Sequence, residues 1–461
     1  MAQYDFNLLI LVFFPDISGP RHNPHHTIRH NPGQVRIIIF RQGKCKYMTI
    51  RNFRILLIIT LAVLTAVLSA GCTASDTQQD SKETIINNSD NLPVSDDKGE
   101  YHIHTTKSSD PTLDEKIGQM LMIGFRGYTA DNDSQIADDI RKGRTGGVIL
   151  FDHDVALGTD ERNIRSPEQV RTLNNQLQGY AEDIPLFIAV DQEGGKICRL
   201  KEKYGFPATV SAEYLGTENN ETLTRNAGSN LAGMLKENGF NMNFAPVVDL
   251  NVNPDSPAIG KLNRSYSADP DVVTDNAGWI IEEHKNLGII TAIKHFPGHG
   301  SAMADSHEGF TDVTGTWSEE ELIPYQNLIK EDLPDMIMTA HIYNKNLDPD
   351  YPATLSEKTV TGILRDKLAY EGVIITDAMD MGAITDSYGL RDALKLSINA
   401  GCDIFLFANN IVYDENIAEK SVSIVKELVK EGEIPEERIN ESYERIITLK
   451  KKYLPGNYTK V

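Results

Sequence analysis

Residues 289–307 read IITAIKHFPGHGSAMADSH, and the stretch changes character part-way along. Residues 289–293 form an apolar run that predicts a short buried strand. The run ends in Lys294 and His295 on a Pro/Gly loop, and Asp305 and His307 close the stretch. Polar side chains on a glycine-containing loop directly after a buried strand are typical of active sites in parallel α/β folds. We therefore expect chemistry at the carboxyl end of this strand.

Apolar strands alternate with amphipathic helices along the chain from residue 111 to residue 455. Eight strands are predicted at residues 120–125, 147–151, 186–190, 243–249, 289–294, 336–341, 373–377 and 404–408. Helices are predicted at residues 167–182, 222–237, 270–287, 319–331, 357–368 and 435–452. Apolar strands that alternate with helices indicate a parallel sheet covered on its faces, and eight such units predict an α/β fold, a (β/α)8 TIM barrel with a single catalytic domain.

Polar and ionisable residues follow nearly every predicted strand. A TIM barrel places the carboxyl ends of its strands at one rim, so these residues are expected to converge there. They are Asp191 and Glu193 after strand three, Asp249 after strand four, Lys294 and His295 after strand five, His341 after strand six, Asp377 after strand seven, and Asn409 and Asn410 after strand eight.

Among these residues, Asp377 ends an apolar strand and is followed by small Ala378. A rigid, partly desolvated carboxylate there is suited to nucleophilic attack on an anomeric carbon. Asp305 and His307 are two residues apart, so in an extended loop both side chains can face the same way. The carboxylate would fix the tautomer of the imidazole, which could then donate a proton to a leaving oxygen and accept one from water. A surface loop with a local hydrogen bond is the competing interpretation of this pair.

Other cofactor chemistries find less support in the sequence. No phosphate-binding Gly-x-Gly-x-x-Gly follows a strand, so a nucleotide cofactor is not expected. Zinc could be bound by His295, His299, His307 and His341 with Asp377. However, Pro297 and Gly298 separate the first two histidines, which cannot then share a helix face. We expect neither a metal nor an organic cofactor.

Composition narrows the class of partner. The chain has 461 residues, of which 40% are hydrophobic and 24% charged, and its formal net charge is -21. That charge argues against nucleic acid and anionic membrane surfaces as partners, because both need clustered Lys and Arg. Cys198 and Cys402 lack metal-ligand spacing and are interpreted as free thiols rather than a disulfide.

The first 110 residues differ from the rest. Residues 1–47 show no sustained periodicity and are interpreted as a misassigned start, with translation beginning at Met48. Residues 48–72 combine basic residues, an apolar run over residues 55–68 and small residues before Cys72, which is typical of a signal peptide. The cysteine resembles the lipidated residue of a bacterial lipobox, and an uncleaved membrane anchor is the alternative. Residues 73–110 are polar and predict a disordered linker.

Five motifs in the folded part resemble family-3 glycoside hydrolases, in particular their single-domain bacterial β-N-acetylhexosaminidase branch. They are KHFPGHG at 294–300 with DSH at 305–307, DQEGG at 191–195 with RL at 199–200, NFAPVVD at 243–249, NP at 253–254 with RSY at 264–266, and TDAM at 376–379. The resemblance extends over residues 113–454. It implies a retaining mechanism with Asp377 as nucleophile and the Asp305–His307 pair as general acid/base. It also implies roles in binding the sugar, which we assign to Asp191, Arg199, Arg264, Lys294, His295 and His341.

The expected protein is an extracytoplasmic lipoprotein, anchored to a membrane through Cys72. Its expected activity is removal of terminal β-linked N-acetylglucosamine from peptidoglycan or chitin-type oligosaccharides. Three alternatives stay open: an N-acetylglucosaminide phosphorylase, a β-glucosidase of the same family, and a non-catalytic sugar-binding lipoprotein. The phosphorylase is considered because a histidine acid/base in place of a carboxylate lets phosphate approach.

Overall fold

The computed structural model describes residues 35–41, 44–50, 110–305, 309–456 and 458. The chain divides into two units, residues 1–102 and 103–461. In the first unit, Val35–Arg41 pairs antiparallel with Lys44–Ile50, where the sequence had predicted no regular element. Residues 51–109 lie outside the described residues, and with them Cys72, most of the expected leader and nearly all of the linker.

The second unit contains the predicted barrel. Its strands are β1 (Leu121–Gly124), β2 (Gly147–Ile149), β3 (Phe187–Val190), β4 (Met242–Asn243), β5 (Ile290–Phe296), β6 (Met336–Thr339), β7 (Val373–Thr376) and β8 (Phe405–Phe407). All neighbouring strands pair in parallel, in the order β7-β6-β5-β4-β3-β2-β1-β8. A parallel bridge between Ile375 and Ile404 joins the two ends of this order, so the sheet closes. The predicted fold class is confirmed.

Helices alternate with these strands. The α-helices are α1 (Leu113–Gln119), α2 (Gln135–Arg141), α3 (Pro167–Gly179), α4 (Ala212–Glu218), α5 (Glu221–Glu237), α6 (Pro270–Asn286), α7 (Ile323–Lys330), α8 (Glu357–Thr359), α9 (Gly382–Thr385), α10 (Leu390–Ala400), α11 (Ile417–Lys430) and α12 (Glu436–Tyr453). Short 3-10 helices span Glu202–Tyr204, Gly260–Leu262, Glu319–Leu322 and Ala353–Leu355. Two short strands, Thr311–Asp312 and Ile342–Tyr343, pair in parallel outside the barrel. Within the described residues, none of the helices combines the length and the apolar character needed to cross a bilayer.

The structure corrects two of the predicted elements. Strand four, predicted at 243–249, ends at Asn243, and the chain continues as loop with a single parallel bridge from Val247 to Lys294. Pro246 has no N–H to give to a ladder, which explains the early end of the strand. The helix predicted at 357–368 is α-helical only at its start and continues as a π-helix over Val360–Lys367.

Buried apolar strands form the barrel wall, and the last helix closes its amino-terminal end. Each residue of β1, β3, β5, β6 and β7 is buried. From α12, the fully buried Lys450 donates to Gln119 Oε1, Gly146 O and Pro185 O, each at 2.7 Å. Three acceptors match the three N–H groups of an ammonium, so this contact joins the end of the chain to the starts of the first strands.

Candidate active site

An ionic cluster connects the exits of β3 and β5. Lys294 Nζ lies 2.8 Å from Asp191 Oδ1 and 2.8 Å from Glu193 Oε1. Arg264 binds Glu193 through two parallel hydrogen bonds of 2.8 Å and 2.7 Å and also donates to Ala258 O. Bidentate pairing of this kind fixes both position and orientation. The cluster therefore presents two cations and two carboxylates in a rigid arrangement.

The charges in this cluster stabilise one another. Burial raises the pKa of Glu193, but Arg264 and Lys294 outweigh burial and lower it to about 2. Burial likewise opposes ionisation of Asp191, and Lys294 and Arg199 bring the pKa of Asp191 below its ordinary value. The two carboxylates in turn raise the pKa of Lys294 despite the burial that lowers it. All four groups are charged at neutral pH, as charge-assisted binding of sugar hydroxyls requires.

Arg199 is held more loosely than Arg264. Its Nη2 lies 3.5 Å from Asp191 Oδ2 and its Nη1 lies 4.0 Å from Asp152 Oδ1. The guanidinium carbon lies 5.5 Å from the centre of the Phe151 ring. Long contacts leave its N–H groups with hydrogen-bonding capacity, so among the cations of this rim Arg199 is well suited to bind a ligand.

His295 belongs to a second buried contact, with Asp249 at the exit of β4. Asp249 Oδ2 lies 2.7 Å from His295 Nδ1, while Oδ1 accepts the backbone N–H groups of His295 and His299. Arg264 Nη2 lies 3.3 Å from His295 Nε2 and can only donate. The other nitrogen, Nδ1, therefore carries the proton that is donated to Asp249, and the ring is fixed in that tautomer.

The loop after β7 carries Asp377, which is half-buried. Its backbone N–H donates to Thr339 O at 3.2 Å, and its Oδ1 accepts the N–H of Ala378 at 2.8 Å. Asp380, further along, accepts the N–H groups of Ala408 and Asn410 and so ties this loop to the exit of β8. Backbone contacts on both sides thus hold the carboxylate of Asp377 at the rim.

His341 lies beneath this loop. Its Nε2 lies 2.9 Å from Ala378 O, a carbonyl that can only accept, so Nε2 carries a proton. Its Nδ1 lies 2.9 Å from Thr354 Oγ1, and the ring is buried. In this structure His341 supports the residue next to Asp377, and its predicted sugar-binding role stays a prediction.

The predicted acid/base pair is only partly described. Asp305 is half-buried on the loop after β5, whereas His307 lies outside the described residues. Cis peptide bonds occur at Lys294–His295, within β5, and at Phe296–Pro297, where the loop begins. Among residues 110–305 and 309–456, no three His, Cys, Asp or Glu side chains are grouped so that they could hold a metal ion. Cys198 and Cys402 are free thiols, as predicted.

Two carboxyl groups of this rim were given no role from the sequence: Glu193 was expected at the rim without a role, and Glu321 was not expected there. Glu193 lies within the DQEGG motif, and its side chain binds both Lys294 and Arg264. Its position two residues after Asp191 could have indicated this. Glu321 accepts the N–H of Gly300 at 3.0 Å, yet it lies in an EEEL run that reads as an exposed helix start, and no sequence signal distinguishes it.

Comparison with known proteins agrees with this geometry. The family described as "Glycosyl hydrolase family 3 N terminal domain" matches residues 112–449. This chain belongs to that family. The predicted resemblance to family-3 glycoside hydrolases is thereby confirmed at the level of the family, and the matched range coincides with the barrel.

Relatives of the chain within this family carry hexosaminidase names. Beta-hexosaminidase A of Pseudoalteromonas piscicida is 32% identical over 386 residues, which cover 76% of this chain and 63% of that protein. Beta-hexosaminidase LpqI of Mycobacterium tuberculosis is 30% identical over 352 residues, or 73% of this chain and 82% of that protein. A family-3 β-N-acetylglucosaminidase structure from Paenibacillus sp. str. FPU-7 superposes with a TM-score of 0.68 at 32% identity, covering 74% of this chain and 63% of that one. The chain thus spans less than two thirds of the first and third of these proteins.

Proposed function

We propose that this protein is a retaining exo-β-N-acetylglucosaminidase, which hydrolyses terminal β-linked N-acetylhexosamine from peptidoglycan or chitin-type oligosaccharides. The observation that carries the proposal is the buried ionic cluster of Lys294, Asp191, Glu193 and Arg264 on the barrel rim. Asp377 is held on the same rim, at the exit of β7. Fixed charges and a rigid carboxylate on one rim are suited to binding a sugar while its anomeric carbon is attacked. The β-hexosaminidase names of its relatives support the choice of sugar.

The chemistry proceeds in two displacements. Asp377 attacks the anomeric carbon while the imidazolium of His307, supported by Asp305, gives its proton to the glycosidic oxygen, and the bond to the leaving group breaks. This step leaves the sugar covalently attached to Asp377. His307 then accepts a proton from water, whose oxygen attacks the anomeric carbon and displaces Asp377. The product keeps the β configuration.

Substrate binding is assigned to Asp191, Arg199, Arg264, Lys294 and His295. Carboxylates accept hydrogen bonds from sugar hydroxyls, whereas Lys and Arg donate them, and both kinds of bond can strengthen in an oxocarbenium-like transition state. No metal or organic cofactor takes part in this scheme. The partner is a carbohydrate, and the acidic chain offers no general basis for nucleic-acid binding.

We further propose that the protein is an extracytoplasmic lipoprotein, lipidated at Cys72 and anchored to a membrane. The pattern of basic residues, apolar run and small residues before Cys72 supports this proposal. Incubation of cells with a radiolabelled fatty acid should label the wild-type protein. A Cys72→Ala variant that retained the label would contradict the assignment.

The activity is tested by comparing 4-nitrophenyl N-acetyl-β-glucosaminide with the matching β-glucoside. The proposal predicts turnover of the N-acetyl sugar and little turnover of the glucoside. A preference for the glucoside would overturn the specificity, and sugar binding without turnover of either substrate would favour a binding protein. A strict requirement for inorganic phosphate, with a sugar phosphate as product, would instead identify a phosphorylase.

A further inference from the structure

The loop between β5 and α7 is closed by a contact between its two ends. Glu321 lies in the 3-10 helix Glu319–Leu322, directly before α7, and is 1% exposed. Its Oε2 accepts the N–H of Gly300 at 3.0 Å, across 21 residues of chain. A Cβ added at Gly298 would lie 2.6 Å from Glu321 Cβ, so the side chain packs directly against the first turn of the loop.

Other groups fix the same turn. Asp249 Oδ1 accepts the N–H of His299 at 2.7 Å, and Trp317 Nε1 donates to Pro297 O at 3.0 Å. Asn253 donates its backbone N–H to Gly300 O at 3.2 Å and its Nδ2 to Ala302 O at 3.1 Å. Backbone groups from Pro297 to Ala302 are therefore anchored to the rim, and Asp305 follows three residues later.

The carboxyl group of Glu321 is held where its ionised form is disfavoured. Burial, together with the negative charge of Asp249, raises the pKa of Glu321 to about 7, although Ser301 and the N–H of Gly300 oppose the rise. An apolar residue of similar size would avoid this cost of burial. The distinct contribution of Glu321 is its hydrogen bond to the loop.

We propose that Glu321 is a positioning residue for the acid/base arm, defined as residues 303–305, which end in Asp305. It acts through the Gly300 backbone, which it holds so that the arm begins from a fixed point on the barrel rim. The catalytic consequence rests on the proposed function, because it assumes that Asp305 and His307 transfer the proton. The structural consequence, a more rigid turn at residues 297–302, does not depend on that assumption.

The test compares three variants. Glu321→Ala removes the acceptor, Glu321→Gln keeps an oxygen that can accept from Gly300, and Glu320→Gln is the control, since Glu320 is exposed in the same short helix. For each variant, kcat/KM is measured with N,N′-diacetylchitobiose, whose leaving group needs a proton, and with the 2,4-dinitrophenyl glycoside, whose leaving group does not. Amide hydrogen exchange of a peptide over residues 296–305 is measured on the same samples.

A misplaced acid costs rate only where a proton is needed. We expect Glu321→Ala to lower kcat/KM for chitobiose by about 10- to 100-fold and to leave the dinitrophenyl substrate almost unaffected. Glu321→Gln should recover most of that loss, and Glu320→Gln should match wild type. Exchange over residues 296–305 should rise in Glu321→Ala alone.

Three outcomes would overturn the proposal, and all differ from a failure of the proposed function. Equal losses on both substrates in folded Glu321→Ala would show that Glu321 does not position the acid, and unchanged exchange over residues 296–305 would show that it does not hold the loop. If Glu321→Ala does not fold, the test uses Glu321→Gln instead. A Glu321→Gln protein that is as stable as wild type but still cleaves chitobiose slowly would also overturn the proposal. If wild type cleaves neither substrate, the proposed function fails, and the exchange experiment alone decides whether Glu321 holds the loop.

Discussion

Lys294 Nζ lies 2.8 Å from Asp191 Oδ1, although 103 residues separate the two in the chain. Lys294 is in β5 and Asp191 directly follows β3, so the contact exists only because closure of the barrel brings these strand ends to one rim. Glu193 shares the same ammonium, and Arg264 neutralises the second carboxylate. The cluster carries no net charge and has little freedom to rearrange, which favours a preorganised sugar-binding surface.

Substitution of Lys294 by methionine should destabilise the fold as well as impair binding. It leaves Asp191 and Glu193 buried with less positive charge nearby, and loss of one partner from a buried ion pair typically costs about 3–5 kcal/mol. Urea denaturation measures this loss in the free energy of unfolding. Lys203→Met is a matched control, because Lys203 lies 2.6 Å from Asp160 in an exposed pair, and its loss should change the free energy of unfolding far less. Similar losses in the two variants would show that the cluster is not the stabilising element described here.

Asp377→Ala should abolish turnover and largely preserve binding of N-acetylglucosamine. The variant removes the attacking oxygen but leaves the ionic cluster intact, because that cluster is built on β3, β5 and the segment around Arg264. Steady-state kinetics and calorimetric titration with the sugar check the two halves of this prediction. Asp366→Ala, at an exposed position on the π-helix, is expected to behave as wild type. Residual turnover close to wild type would exclude Asp377 as the nucleophile.

Protonation of His284 should make the protein less stable at acidic pH. Burial lowers the pKa of His284 to about 4, although the hydrogen bond to Ile280 O opposes this, and Asn243 Nδ2 lies 3.1 Å from Nε2 as a donor. Because the folded pKa lies below the unfolded value of about 6.5, protonation favours unfolding. The contribution of the neutral His284 ring to the free energy of unfolding is fully present above pH ~6.5. It falls by up to about 3 kcal/mol as the pH drops towards 4.

A His284→Gln variant isolates this effect. Between pH 6.5 and 4 its free energy of unfolding should fall less steeply than that of wild type, when both are measured in urea. Since Asn243 also bonds the backbone of Gln192, just before Glu193, the acid form should loosen that loop as well. Parallel pH profiles for the two proteins would contradict the assignment of a neutral buried ring.

Lys450→Met should lower the free energy of unfolding by about 2 kcal/mol or more, since each buried acceptor left unpaired costs about 1–3 kcal/mol. The variant leaves Gln119 Oε1 and Pro185 O without their 2.7 Å donor, whereas Gly146 O keeps the N–H of Phe187 at 3.1 Å. Lys451→Met, at the exposed neighbouring position, provides the control. A Lys450→Met protein as stable as its control would show that the ammonium does not hold these strands together.

Much of the fold could be predicted, because each barrel strand is a short apolar run bounded by turn residues. The eight strands were found at or near their predicted positions. The fourth was predicted too long, because residues 244–248 are apolar although Pro246 interrupts them. Burial against the barrel makes such a loop as hydrophobic as a strand. The π-helix at Val360–Lys367 has an ordinary amphipathic pattern and could not be distinguished from an α-helix.

The site was predicted less completely. Motif residues at strand exits pointed to Asp191, Lys294, His295 and Asp377, which the structure places at the rim. Arg264, to which the resemblance gave a role in binding the sugar, also reaches Glu193. Glu321 was missed because its role arises from a contact with Gly300 that local sequence does not encode. The acid/base role of His307 stays a prediction.

The most direct test of the central claim is to locate the covalent intermediate. His307→Ala should still react with 2,4-dinitrophenyl N-acetyl-β-glucosaminide, because the dinitrophenolate leaves without a proton. The variant lacks the base that activates water for the second step. The glycosyl-enzyme should therefore accumulate, and mass spectrometry of a digest should show one N-acetylglucosaminyl group on the peptide that contains Asp377. An adduct on a different residue, or no adduct while the wild-type enzyme turns over the same substrate, would contradict a retaining mechanism through Asp377.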